Sequence, residues 1–293
     1  LLYSIISVKE EVYDYFKPKI INLISIDKNI SLNELEKKLK RKRSQLIVAK
    51  GLKFNKKQSQ FTFDELINLY SVSRVTINNL IKSKILLKSE KVINRTQFEI
   101  EELIKPKKLS VIQNNALTEI ESNFLEKNVS LLHGVTSSGK TEIYVNLIEK
   151  ELNRNNQVLY LVPEISLTTQ LIVRLKKYFG DKLLVYHSKY SLDQRTEIWK
   201  NVLKSSGKII LGARSSIFLP YNSLSLIIVD EEHENAFKQF NPAPRYNARD
   251  CAIYLGMLHS AKTLLGSATP SVESYFNAIS NKYGLIKIIK RYN

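Results

Sequence analysis

One cysteine, one methionine and one tryptophan stand among 293 residues. The lone thiol, Cys251, excludes a disulfide framework and a cysteine-rich zinc site within these residues. No run of eighteen apolar residues occurs, so no stretch reads as a membrane-spanning helix. The opening LLYSIISVKEEVYDYF is too short and meets Glu10 and Glu11 too early to be a secretory signal, and a cytoplasmic protein is expected. Because the sole methionine is Met257, Leu1 is not expected to be a natural start, and the chain is expected to be a piece of a longer protein. Acids are also scarce: 28 Asp and Glu against 45 Lys and Arg leave a formal charge of +17, which points to a polyanionic partner, nucleic acid before membrane. None of the nine glycines is followed by arginine.

Hydrophobic residues make up 43% of the chain, enough for folded cores, and the length suits two domains. The chemistry begins at LLHGVTSSGKTEIYVNL, residues 131 to 147, which reads G-x-x-x-x-G-K-[ST]. Gly134 and Gly139 allow a tight turn in which Val135, Thr136, Ser137 and Ser138 face their N–H groups toward phosphate oxygens at the start of a helix. Lys140 then reaches the β and γ phosphates, and the Thr141 hydroxyl is placed to ligate Mg²⁺. Val129, Leu131 and Leu132 supply the preceding strand, and Ile143, Tyr144, Leu147 and Ile148 recur at helical spacing behind it. Further on, LSLIIVDEEHE places paired carboxylates at the end of a buried strand. Asp230 is the expected metal-side carboxylate and Glu231 the expected general base.

Taken in order, residues 1–19 read as the tail of a preceding domain. Leu32, Leu35, Leu39, Leu46 and Ile47 predict one helix from Ser31 to about Lys50, opened by a Ser31–Glu34 capping box. Its KKLKRKR run, Lys37 to Arg43, is either a solvated face or a track for a phosphate backbone. A second helix starts at Thr62 with Glu65 as reciprocal cap, and a third runs from Arg74 to about Lys84 after the break at Ser71–Ser73. Two short strands around Ser89 and Glu90 are expected to follow as a hairpin. That pattern is a winged helix over residues 20–105, with Arg74, Thr76, Asn78, Asn79 and Lys82 on the exposed side of its third helix. After the KPKK linker, Lys105 to Lys108, apolar runs alternate with amphipathic helices over residues 106–293. The expected fold class is therefore α/β: a RecA-like P-loop motor lobe with a parallel sheet, preceded by a small winged-helix domain.

The motifs GVTSSGKTEIY, LVPEISLTTQ, YHSKYS, LGARSSIFLP, IIVDEEHENAFKQFNPAPRYNARD and LLGSATPSVESY resemble the superfamily 2 helicases, and among them the replication-restart (primosomal protein N-prime) helicases. The resemblance covers about residues 109 to 293, and Ser137 stands where many relatives have glycine. It implies that Gln113 reads the adenine edge. It implies that the segments around Pro163, Glu164 and Ser166, and around Gly212, Ala213 and Arg214, contact single-stranded DNA backbone. Ser267, Ala268 and Thr269, with His233, would couple the ATP and DNA sites. Phe237, Phe240, Arg245 and Tyr246 would belong to an aromatic-rich loop that senses DNA by stacking.

The implied activity is ATP-dependent 3′ to 5′ DNA helicase action in replication restart and primosome assembly, near the nucleoid. The implied partners are forked and single-stranded DNA, other primosome proteins and single-stranded-DNA-binding protein, with no membrane. In such helicases a Gly-Arg motif of a second lobe completes the ATP site, and cysteines bind zinc; both are expected outside these residues, so the fragment alone is expected to be poorly active. A module that binds DNA and ATP without catalysis is the alternative from another class.

Overall fold

The computed structural model describes residues 19–27, 29–55, 59–93, 103–187, 190–241 and 243–291. The tail expected over residues 1–19 therefore lies outside the described residues, save for Lys19. Two units are formed, Lys17–Arg95 and a larger one whose main stretch is Thr96–Asn293.

The smaller unit runs β1 (Lys19–Ile26), α1 (Leu32–Leu39), α2 (Arg43–Phe54), α3 (Phe63–Tyr70), α4 (Arg74–Lys82) and β2 (Leu86–Ile93). Capping boxes at Ser31–Glu34 and Thr62–Glu65 open α1 and α3, and the Ser73 hydroxyl caps α4, each satisfying N–H groups that a helix start leaves unpaired. Two expectations are corrected. The single helix from Ser31 to Lys50 is two helices, because folding back at Lys40–Lys42 lets Leu35 and Leu39 share a core with Val48, Ala49 and Leu52. The hairpin around Ser89 and Glu90 is one continuous strand, since no glycine, asparagine or aspartate there supplies the positive φ of a two-residue hairpin turn and β2 pairs along its whole length, antiparallel, with β1. Among the described residues, then, four helices accompany a two-stranded sheet, and no wing hairpin follows α4.

The larger unit opens with α5 (Val111–Glu126), β3 (Val129–Gly134), α6 (Lys140–Asn153) and β4 (Gln157–Leu161). It continues with α7 (Thr169–Phe179), β5 (Leu183–Tyr186), α8 (Leu192–Lys204), β6 (Ile209–Gly212) and β7 (Leu224–Asp230). It ends with α9 (Ala248–His259), β8 (Lys262–Ser267), α10 (Val272–Ile279) and β9 (Gly284–Ile288). The strands form one seven-stranded sheet in the order β5-β6-β4-β7-β8-β3-β9, every pair parallel.

Strand geometry sends successive side chains to opposite faces, and two cores result. Leu132, Tyr160, Ile228 and Leu264 face α5, α6 and α7, while Leu131, Leu159, Ile227, Val229 and Leu265 face α8, α9 and α10. The order β7-β8-β3 brings the ends of three strands side by side, and each carries a motif. Ligands of parallel sheets bind at those carboxyl ends.

Candidate active site

Between β3 and α6 the chain turns as its glycines require. A Cβ on Gly134 would stand 2.9 Å from Ser138 Oγ and 3.2 Å from Lys140 Cγ, so a side chain there would displace the Ser138 hydroxyl and crowd Lys140. Ser137 and Gly139 both adopt positive φ, 62° and 81°, a region glycine enters freely and serine does not. Lys140, buried at the first position of α6, donates from Nζ to the Gly134 carbonyl at 2.9 Å and lies 3.7 Å from Glu231 Oε1. The Ser138 hydroxyl is buried with no hydrogen-bond partner among the described residues, while Val135 donates its N–H to the Ile288 carbonyl at 3.0 Å. Thr136 is exposed and Thr141 half-buried. Gln113 is buried, and its amide is already engaged: Oε1 accepts from Ser110 N at 2.9 Å, and Nε2 donates to the Gly139 carbonyl at 3.4 Å. The glutamine expected to read adenine thus braces the P-loop from α5.

Across β8, Asp230 ends β7 with both carboxylate oxygens held. Tyr144 of α6 donates to Oδ1 and Tyr160 of β4 to Oδ2, each at 3.1 Å. Burial and then the adjacent Glu231 carboxylate push Asp230 up to about 6, against the opposing pull of Lys140 and the two hydroxyls. Burial and Asp230 itself raise both tyrosines well above their ordinary value, so they stay protonated and donate. Gly266 of β8 makes this packing possible, since a Cβ there would fall 1.8 Å from the Tyr144 hydroxyl. Glu231 adopts φ 50°, costly for a side-chain-bearing residue, and is pinned by neighbours: its N–H meets Asp230 Oδ1 at 3.2 Å, and Glu232 N donates to the Gly266 carbonyl at 3.1 Å.

The rest of the DEEH segment faces β8 and α10. His233 Nδ1 lies 2.8 Å from Ser267 Oγ and Nε2 lies 3.3 Å from Thr269 Oγ1, so the histidine and the Ser-Ala-Thr stretch meet; Ala268 between them is half-buried. Glu232 was not among the expected site residues, yet it is 2% exposed and fully engaged. It accepts from Ser271 N (2.7 Å), Ser271 Oγ (2.9 Å), Ser274 Oγ (2.9 Å) and Arg249 Nη1 (3.1 Å). Arg249 also reaches Asp250 through Nε at 2.8 Å. The only signal in the sequence was a third carboxylate beside two assigned ones.

The segments expected on DNA gather at neighbouring strand ends. Pro163 is buried, and Glu164–Ser166 form a single 3₁₀ turn after β4, with Glu164 exposed. Gly212 ends β6, where a Cβ would meet Ser216 Oγ at 2.6 Å; Ala213 is buried and Arg214 opens the next 3₁₀ turn. Arg214 Nη1 donates to the Lys238 carbonyl at 2.8 Å, and Phe218 packs edge-on against Tyr246 at 5.1 Å. These contacts tie the Gly-Ala-Arg segment to the aromatic loop, whose base is closed by the Lys238–Asn247 bridge and by Gln239 N to the Tyr246 carbonyl at 2.8 Å. At its tip Phe240 (66%) and Arg245 are exposed. One expected member is corrected: Phe237 is 1% exposed and packs with Ile227, Val229 and Ala248, so it belongs to the core and cannot stack on a base.

ATP with Mg²⁺ is the expected ligand pair, and the residues present fit both. The partnerless Ser138 hydroxyl and the glycine-lined turn leave a cradle for phosphates, and Asp230, raised by burial beside a second carboxylate, stands where a cation would relieve both charges. Residues 110–277 match the DEAD/DEAH box helicase family, and the chain belongs to that family. Within it, the similarity runs to replication restart proteins. The Replication restart protein PriA of Chlamydia trachomatis is 39% identical over 247 residues, 82% of this chain and 32% of that protein. That of Bacillus subtilis is 40% identical over 233 residues, 78% of this chain and 29% of the relative. That of Rickettsia felis is 42% identical over 186 residues, 63% and 28% respectively. The chain spans about a third of the length of these curated relatives.

Proposed function

We propose that the whole protein is an ATP-dependent DNA helicase that translocates 3′ to 5′ and restarts stalled replication forks, and that this chain supplies its first motor lobe and a basic accessory unit. The observation that carries the reading is Lys140 Nζ lying 3.7 Å from Glu231 Oε1, which brings a phosphate-binding lysine and a candidate base together across β7-β8-β3.

In this reading Lys140 and the P-loop N–H groups other than those of Val135 and Ser138, which donate to the Ile288 and Val135 carbonyls, hold the phosphates of ATP, and the braced Gln113 fixes the loop from behind. Mg²⁺ would be held from the protein side by Thr141 and Asp230, and when bound it neutralises charge on the phosphates. Tyr144 and Tyr160 hold Asp230 in one orientation. Glu231 accepts the proton of the attacking water. His233, Ser267 and Thr269 relay the state of this site to the strand ends where Pro163, Glu164, Ser166, Gly212, Ala213 and Arg214 line a path for single-stranded backbone. Phe240, Arg245 and Tyr246 report bound bases to Glu231 through the same loop. Forked DNA, primosome proteins and single-stranded-DNA-binding protein are the partners, and the protein works at the nucleoid in the cytoplasm; no helix among the described residues is long and apolar enough to cross a membrane. Zinc, if the protein carries it, binds beyond this chain, which has one cysteine.

With no Gly-Arg pair among its nine glycines, the chain by itself turns over ATP slowly. The test is ATP hydrolysis by the full-length protein with and without single-stranded DNA, and unwinding of duplexes bearing a 3′ or a 5′ tail. DNA-stimulated turnover with unwinding from 3′ tails supports the reading, and binding of both ligands without turnover would replace it with the non-catalytic module.

A further inference from the structure

The run Lys37–Arg43 has no part in the ATP site. Folding turns it into a corner: Lys37 and Lys38 lie in the last turn of α1, Lys40, Arg41 and Lys42 make the bend, and Arg43 opens α2. Leu39 inside the run is buried together with Leu35 and Val48, so the cations stand on a packed platform. All six charged side chains of the run are exposed. The nearby acids of α1 are spent elsewhere, Glu34 on the Ser31 N–H at 3.0 Å and Glu36 on Lys50. Among the described residues, none of Lys40, Arg41, Lys42 or Arg43 forms an ion pair.

Like charges held this close repel one another. The α2 dipole adds to the cost, since its first turn contains no acid and its positive end faces Lys42 and Arg43. The exposed side of α4 offers far less positive charge. Arg74 lies over the Phe63 ring at 4.9 Å, Asn78 and Asn79 are neutral, and Lys82 is the one cation of the last turn, with Lys84 following beyond it.

We propose that the α1–α2 corner is the backbone grip of the smaller unit, a surface that holds duplex DNA by its phosphates through Lys40, Arg41, Lys42 and Arg43, without using α4 as a recognition helix. Duplex is favoured over single strand because the run contains no aromatic side chain on which an unpaired base would stack. The inference rests on DNA being this protein's substrate, and it adds the element that holds the double-stranded part.

The test is a salt titration of duplex binding by the 293-residue chain, followed by fluorescence anisotropy. Each phosphate contact contributes about 0.9 to the slope of log affinity against log salt, so changing Lys40, Arg41, Lys42 and Arg43 together to glutamine lowers the slope by about 3 to 4. Lys82→Gln lowers it by about 1 at most. A charge-retaining variant, K40R/R41K/K42R/R43K, keeps the original slope, and matching thermal midpoints show that the glutamine variant is folded. An unchanged slope in the folded glutamine variant, or no duplex binding by the unaltered chain, overturns the proposal; the first result would leave the corner to an acidic protein surface. Nucleotide binding at the P-loop is measured in parallel, so a failure of the ATP reading appears there and not in the slope.

Discussion

Arg249 Nη1 lies 3.1 Å from Glu232 Oε2, and both side chains are buried, which makes this ion pair the internal tie between the DEEH segment and the first turn of α9. The Ser271 and Ser274 hydroxyls complete the shell around Glu232, so the start of α10 is bound into the same knot. The aromatic loop ends at this arginine. The C-terminal end of the loop is thereby fastened to the residue next to Glu231.

Arg249→Met is expected to destabilise the larger unit by roughly 3–5 kcal/mol, because Glu232 is left buried and charged without its partner. Adding Glu232→Gln recovers much of that loss. Denaturant melts of the two single variants and the double variant measure the coupling directly.

Asp230→Asn is expected to stabilise the nucleotide-free, Mg²⁺-free protein at pH 7. Burial and Glu231 hold the native carboxyl at about 6, above its ordinary value of 3.8, so the native state binds the proton more readily than the unfolded chain does. The cost of ionised Asp230 is present in full above pH 6, shrinks as pH falls between about 6 and 4, and is gone below both values. That shift corresponds to on the order of 3 kcal/mol. Thermal midpoints of the two proteins across this range are expected to converge on acidification, and parallel curves would show that Asp230 is not the titrating group.

Lys140→Ala is expected to abolish ATP turnover in the full-length protein and to leave DNA affinity within a few-fold of the original. The substitution removes the proposed phosphate clamp and no part of the exposed basic surface. Paired measurements of ATP hydrolysis and DNA binding check this, and near-normal hydrolysis would remove Lys140 from the site.

Two phenylalanines three residues apart are expected to behave oppositely. Phe237→Ala opens a cavity in the core and costs about 3–5 kcal/mol of stability. Phe240→Ala, at the exposed tip, leaves stability nearly unchanged and lowers the stimulation of ATP hydrolysis by single-stranded DNA. Urea melts and a DNA titration of the ATPase separate the two.

What the residues disclose in advance follows from how local the physics is. The P-loop turn, the carboxylates that end β7 and the parallel α/β alternation of the sheet were legible because glycine spacing, short apolar runs and capping boxes are determined by neighbours in sequence. The break between α1 and α2 was not legible, since Leu32, Leu35, Leu39 and Leu46 hold helical phase and neither proline nor glycine marks the bend. The β1–β2 pairing joins strands on opposite sides of four helices, and the Glu232–Arg249–Ser271 knot joins side chains with no shared pattern. Phe237 and Phe240 look alike in sequence, and only packing separates core from tip.

The place where Gly266 meets Tyr144 also bears on how such a chain can change over generations. With 1.8 Å between a Cβ at 266 and the tyrosine hydroxyl, no single substitution at that glycine leaves the neighbourhood as it was. The same hydroxyl orients Asp230, and Tyr160 holds the other oxygen. Positions 144, 230 and 266 therefore share one small volume, in which a side chain added at 266 displaces the hydroxyl that holds Asp230, leaving Tyr160 as its remaining side-chain donor among the described residues.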